Sequence, residues 1–181
     1  MKHTVVALME DKPGVLSRCI SLFRRRNFNI ESISVGHTEI PEISRMTLVV
    51  EGSDPLVEQV IKQLYKIINV RKVSDVTSDP TVDRELALIK VSAKAGTRSE
   101  IMQIVEIFRG RIVDVAPSSL MVEVTGPEEK IESLISMLRP FGIKEMARTG
   151  KVCMVRGSIA TREMTGAPGS NGHARAAAAT E

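Results

Sequence analysis

One-sided helical periodicity alternates with short apolar runs along this chain, and the whole alternation occurs twice. In the first half, the run Val5-Val6-Ala7-Leu8-Met9 stops at Glu10-Asp11-Lys12-Pro13-Gly14. Val15, Cys19 and Phe23 then recur at i, i+4 and i+8, with Leu16 and Ile20 beside them, which is the pattern of a helix with one buried face. Arg24-Arg25-Arg26 put positive charge at the negative end of its dipole, and Asn27 is a plausible stop. Extended segments follow from Phe28 and around Met46, Leu48 and Val50, joined by a Pro41-containing connection. Asp54 is expected to cap a second helix with Pro55 in its first turn, faced by Val57, Val60, Ile61, Leu64 and Ile68. Residues 70–76 supply a fourth strand. The order is β-α-β-β-α-β, the split βαβ arrangement of ferredoxin-like domains.

The second half repeats the order without obvious identity to the first. Residues 86–91 form a strand, Ser99 is expected to cap a helix faced by Ile101, Ile104, Val105 and Phe108, and Pro117-Ser118-Ser119 turns between two further strands. Pro127 opens a helix faced by Ile131, Leu134, Ile135 and Leu138, which Pro140 ends. A last strand lies within 143–155, interrupted at Gly150. The fold class is therefore α+β, with two tandem ferredoxin-like units at 1–78 and 83–158. Between them runs the polar, proline-broken Thr77-Ser78-Asp79-Pro80-Thr81. From about 160 to 181 the chain turns to Ala, Gly, Ser and Thr without periodicity, a composition expected to stay mobile.

Chemistry concentrates at the first loop and the strand after the first helix. A loop entering a helix offers free N–H groups and the positive dipole end, which suit a carboxylate. Gly14 permits close backbone approach and Asn29 carries both donors and acceptors. The strand after Phe28 has a phase error: Phe28 and Ile30 alternate on one face, Ile33 and Val35 on the other. Either a bulge beside Asn29 or a late start of the strand would explain it, and bulges collect next to sites.

Other chemistry lacks support. Ser17, Ser118 and Ser119 have no G-x-S-x-G setting, no phosphate-binding glycine pattern is present, and His3, His37 and His173 share no metal-ligand spacing. No catalytic residue and no metal site is expected. A net charge of +3 from 25 basic and 22 acidic residues is too small and too dispersed to argue for nucleic acid. With four Phe, one Tyr and no Trp, and Phe23 and Phe108 committed to helices, a base-stacking RNA sheet is also disfavoured. Cys19 and Cys153 fall on apolar positions and read as buried, reduced thiols, which fits the cytoplasm. No apolar run is long enough for a membrane span, and the N-terminal residues do not read as a targeting segment.

Several ordered segments resemble a known family. Glu10-Asp11-Lys12-Pro13-Gly14-Val15-Leu16-Ser17-Arg18, Leu22-Phe23, Arg26-Asn27-Phe28-Asn29-Ile30-Glu31-Ser32 and Ser44-Arg45-Met46-Thr47 are similar to the ACT domain of acetolactate (acetohydroxyacid) synthase small subunits. Arg84-Glu85-Leu86-Ala87-Leu88-Ile89-Lys90-Val91 and Ile107-Phe108-Arg109-Gly110-Arg111-Ile112-Val113-Asp114-Val115 extend the resemblance into the second half, over roughly 1–158. It implies a regulatory subunit that raises the activity of a large catalytic subunit and confers feedback inhibition by valine or related branched-chain amino acids. Thiamine diphosphate, Mg²⁺ and FAD would be held by that catalytic partner, and none by this chain. The family's ACT domains pair side by side as homodimers with effector at the interface, and neither nucleic acid nor membrane is implied as a partner. Carried onto this sequence, the effector site comprises Asp11, Lys12, Pro13, Gly14, Val15, Leu16, Asn29 and Ile30. The family usually has Asn where this chain has Asp11. An ionised Asp accepts hydrogen bonds but cannot donate them, so it suits an effector's ammonium rather than its carboxylate. The alternative is a free-standing ACT amino-acid sensor controlling another complex.

Overall fold

The structure, a computed structural model, describes residues 1–25 and 28–158. The helix stop expected at Asn27, the third arginine Arg26 and the tail lie outside the described residues.

The first half comprises β1 (Lys2–Glu10), α1 (Val15–Arg25), β2 (Ile30–His37), β3 (Ile43–Glu51), α2 (Asp54–Leu64) and β4 (Val70–Asp75). The sheet order is β2-β3-β1-β4, and β3 is antiparallel to both β1 and β2. The strands flanking α1 therefore run in the same direction, as a crossover requires. Alternation on the strands selects one face: Val5, Ala7, Met9, Met46, Leu48 and Val50 meet Val15, Cys19 and Phe23 of α1 and Val57, Val60 and Leu64 of α2. Aromatics are scarce, so aliphatic side chains fill this core, with Phe23 and half-buried Phe28 in tilted contact at 6.4 Å.

The second half repeats the plan with β5 (Thr81–Ser92), α3 (Arg98–Ile107), β6 (Arg111–Ala116), β7 (Ser119–Gly126), α4 (Glu128–Leu138), a 3₁₀ turn (Arg139–Phe141), β8 (Ile143–Arg148) and β9 (Val152–Val155). Its sheet order is β6-β7-β5-β8. Ala87, Ile89 and Val91 lie against Ile101, Val105, Ile131, Leu134 and Leu138. The chain thus consists of two ferredoxin-like βαββαβ domains.

Local details refine the expectations. Ser53 occupies the cap position of α2 and Thr97 that of α3, in place of the expected Asp54 and Ser99. Ser, Thr and Asp are near-equivalent caps, and neither Ser53 nor Thr97 makes a side-chain cap bond, so composition alone does not choose among neighbours. Ile68 is 87% exposed because α2 ends at Leu64, before that turn of the pattern. The phase error in β2 is a bulge: Ile30 faces Val50 and Ser32 faces Val49, leaving Glu31 extra. The bulge returns Ile33 and Val35, opposite Leu48 and Met46, to the helix-facing side of the sheet. β6 carries the same irregularity between Ile112 and Asp114.

The halves are joined by more than their linker. β5 begins at Thr81, and its first four residues pair with β9 as a two-stranded ribbon. This ribbon lies on the face of the first sheet opposite its helices, where Cys153 and Val155 pack against Val6 and Val76. Arg45 on β3 donates from Nη2 to the Cys153 carbonyl at 2.6 Å. Among the described residues, no helix is long and apolar enough to cross a membrane.

Candidate functional site

The loop Asp11–Gly14 is held at both ends. The Asp11 N–H donates to the Glu42 carbonyl (2.7 Å), and the Lys12 N–H turns back to the Glu10 carbonyl (3.0 Å). Gly14 adopts φ +85°, a left-handed conformation in which a Cβ is strained, so glycine is needed for the turn itself as well as for approach. An ideal Cβ there would meet no atom within 4 Å, so the space above Gly14 is open. Helix α1 begins at the next residue. Its Val15 and Arg18 N–H groups are taken by the carbonyls of Lys12 and Gly14, leaving those of Leu16 and Ser17, both exposed, toward solvent. These two donors and the dipole end are the groups this loop presents to an anion.

Two residues that sequence reasoning did not single out fix this corner. Glu10 accepts from Asn69 Nδ2 (2.8 Å) and pairs with Lys12 Nζ (3.0 Å) and the Arg71 guanidinium. The Asn69 side-chain oxygen in turn accepts from Arg18 Nη1 (2.8 Å), tying α1 to the β4 end of the sheet. The Asn69 amide, then Lys12, hold the Glu10 carboxyl down to about 2. That is below its ordinary value of about 4.5, so the group stabilises the fold above pH 4.5 and the contribution drains as pH falls toward 2. Thermal unfolding followed from pH 5 to pH 2 is expected to lose part of this slope in Glu10→Gln, while a variant lacking an exposed, unpaired carboxylate keeps it. Only the ion-pair geometry signals Glu10; Asn69, between Ile67-Ile68 and Val70, carries no signal at all in the sequence.

Asp11 points its Oδ2 to within 3.2 Å of His37 Nδ1, at the last residue of β2. Lys12 and Pro13 are exposed, Val15 is buried in the core, Leu16 is half-exposed, and Ile30 is half-buried against the core. Asn29 is exposed immediately before β2. The expected site residues thus form two groups. Asp11 to Leu16 sit where β1 ends and α1 starts; Asn29 and Ile30 sit where α1 has ended and β2 starts. Since β1 and β2 run in the same direction, the groups lie at opposite ends of α1, whose eleven residues span about 16 Å. The fold does not bring them together within one chain.

An apolar stripe joins the two ends. On α1, Val15, Cys19 and Phe23 point inward, and Arg18 and Leu22 line a groove beside Gln63 and Ile67 of the α2 side. Leu16 and Ile20 therefore project the other way, toward the free edge of the sheet at β2. The exposed apolar side chains on this side are Leu16 (37% exposed) and Ile20 (48%) of α1 and Ile33 (37%) and Val35 (40%) of β2. Cys19 and Cys153 are both free and buried, and burial pushes both thiols up.

Comparison with known proteins covers both domains. Residues 6–72 match the family described as AHAS small subunit-like ACT domain, and residues 84–157 match the family described as small subunit of acetolactate synthase. The chain is 58% identical over 158 residues to a probable acetolactate synthase small subunit of Archaeoglobus fulgidus, covering 87% of this chain and 99% of that one. It is 52% identical over 155 residues to the acetolactate synthase small subunit of Mycobacterium bovis, covering 86% and 92%. The crystal structure of the acetolactate synthase small subunit from Thermotoga maritima superposes with a TM-score of 0.81 at 42% identity, over 88% of this chain and 99% of that one.

Proposed function

The chain belongs to the acetolactate synthase small-subunit family, and from that premise we propose that it is the regulatory, non-catalytic subunit of a cytoplasmic acetolactate synthase. It raises the rate of a large catalytic subunit and makes that rate sensitive to valine or a related branched-chain amino acid. Thiamine diphosphate, Mg²⁺ and FAD chemistry belongs to the catalytic partner; this chain binds effector and shifts the partner's equilibrium.

The observation that carries the reading is the division of the effector residues between opposite ends of α1, bridged by the stripe of Leu16, Ile20, Ile33 and Val35. A two-fold axis through that stripe sets two β2 edges antiparallel. The Asp11–Leu16 loop of one protomer then meets Asn29 and Ile30 of its partner, and two equivalent sites close at one interface. The effector carboxylate is received by the Leu16 and Ser17 N–H groups and the helix dipole. Asp11, with no donor of its own when ionised, faces the ammonium. Leu16 and the partner's Ile30 enclose the branched side chain, whose few methylenes contribute about 0.8 kcal/mol each on burial. Such a site suits sensing in the micromolar to millimolar range.

The test is acetolactate formation by the cognate large subunit, with and without this chain, across a valine titration. The expected result is a rate increase on adding the chain, reversed by valine. A rate increase that valine and its branched-chain relatives leave untouched removes the effector reading, with Asp11 the first residue to revisit. No change in rate removes the partnership and favours a free-standing sensor.

A further inference from the structure

The second domain touches the first at the strand that carries half of the effector site. The long β5 pairs with β7 over Glu85–Ser92, and its pairing with the C-terminal segment is divided between two strands. β8 pairs with Ala87–Val91 and β9 pairs with Thr81–Arg84; Thr149 still donates its N–H to the Leu86 carbonyl (3.0 Å), and the chain departs at Gly150 and Lys151. At the break, the Lys151 N–H donates to Ser32 Oγ at 3.0 Å. Gly150 lies so close to β2 that a Cβ on it would stand 2.3 Å from the Ile33 carbonyl oxygen and 3.1 Å from Ser32 Oγ. Its φ is not left-handed, so the glycine is required by this main-chain contact and not by its own conformation. Charge closes around the same point. Lys2 bridges Glu31 (2.5 Å) and Glu128 (2.8 Å) across the two domains, and Lys151 Nζ lies 3.9 Å from Asp83 and 4.0 Å from Glu128.

These contacts fall on Glu31, Ser32 and Ile33, the bulge and the residues directly after Asn29 and Ile30. The bulge is the one place in β2 where the ladder to β3 shifts register, and so where the strand can move without breaking its whole pairing. We propose that the Gly150–Lys151 contact on the β2 bulge is the joint that passes effector occupancy at Asn29 and Ile30 to the second domain. The inference rests on the effector reading above. An effector that pulls on Asn29 shifts the bulge, and the bulge shifts the ribbon through main-chain contacts too tight to absorb the movement. Coupling of this kind is a free energy between two sites, so it can be removed while each site survives.

Gly150→Ala is the direct test, with Ser32→Ala as a second variant that removes one hydrogen bond without adding bulk. Each full-length variant is titrated with valine by calorimetry, and the holoenzyme made with it is assayed for acetolactate formation with and without valine. Both variants are expected to bind valine within about threefold of the parent and to raise the catalytic rate as the parent does. The share of activity that saturating valine removes is expected to fall by at least half. Unchanged inhibition in a folded Gly150→Ala chain overturns the joint, as does unchanged inhibition in Ser32→Ala should the first variant not fold. Loss of valine binding in Ser32→Ala also overturns it, because the contact would then belong to the binding pocket. Absence of valine binding by the parent chain is a different result: it removes the effector reading, and the joint with it.

Discussion

Gly14→Asp is expected to abolish valine inhibition while leaving activation of the catalytic subunit largely intact. Gly14 stands at φ +85° with open space where a Cβ would go, so the substitution strains the backbone without a clash. The left-handed conformation costs most residues about 1–2 kcal/mol, and Asp is among those that enter it most readily. The domain should therefore fold. Its new carboxylate, however, projects over the first turn of α1, beside the Leu16 and Ser17 N–H groups that the proposed site offers to the effector's carboxylate. A like charge about 4 Å away opposes that carboxylate by about 4 kcal/mol at an effective dielectric of about 20. That amounts to roughly a thousandfold in affinity. Calorimetry should show no valine binding at millimolar concentration, and the holoenzyme assay should show activation that valine does not reverse. Gly14→Ala separates the two contributions, since it carries the same backbone strain without the charge and should weaken inhibition far less. Equal inhibition in Gly14→Asp and the parent would remove this loop from the effector site.

Much of this architecture was legible in the sequence, and the illegible parts share a cause. The two βαββαβ units follow from side-chain period, because Val15, Cys19 and Phe23 or Ile131, Leu134 and Leu138 can be buried together only on a helix. An irregularity in β2 follows from the same logic, since Ile30 and Ile33 cannot share a regular strand's inner face; that it is a bulge and not a late start is decided by the pairing with β3. The interruption at Gly150 shows as a glycine in an extended run, but its reason does not. That reason is the Ile33 main chain, well over a hundred positions away in the chain, and no local pattern encodes it. The cover over Val6 and Val76 by Cys153 and Val155 is hidden in the same way. The site shows the limit most clearly. Gly14 and Asn29 read as neighbours flanking one short helix, yet the parallel course of β1 and β2 sets them a helix length apart. Residue types announce the chemistry; topology decides that the two groups of residues stand apart in one chain.

That division makes the pairing interface as decisive as the pocket, and Ile20→Glu is the variant that isolates it. Ile20 is 48% exposed on a helical surface, so a glutamate there costs the isolated domain little. Across a two-fold interface the same glutamate is desolvated twice, once in each protomer, at several kcal/mol per ion. The interface also loses the remaining exposed half of two isoleucines, about 1 kcal/mol for each. A dimer with a micromolar dissociation constant is held by only about 8 kcal/mol, so Ile20→Glu should be monomeric at any practical concentration. Sedimentation velocity on the variant should give the mass of one chain, and calorimetry should show valine binding lost, although Asp11, Gly14 and Asn29 are all unchanged. Ile68→Glu is the matched control: Ile68 is 87% exposed after the end of α2, away from the stripe, and its variant should stay dimeric and bind valine normally. A dimeric Ile20→Glu chain would place the pairing surface elsewhere, and a monomeric one that still binds valine would mean that each chain completes its own site. Loss of both together is the outcome that follows from a helix too long for its two ends to meet.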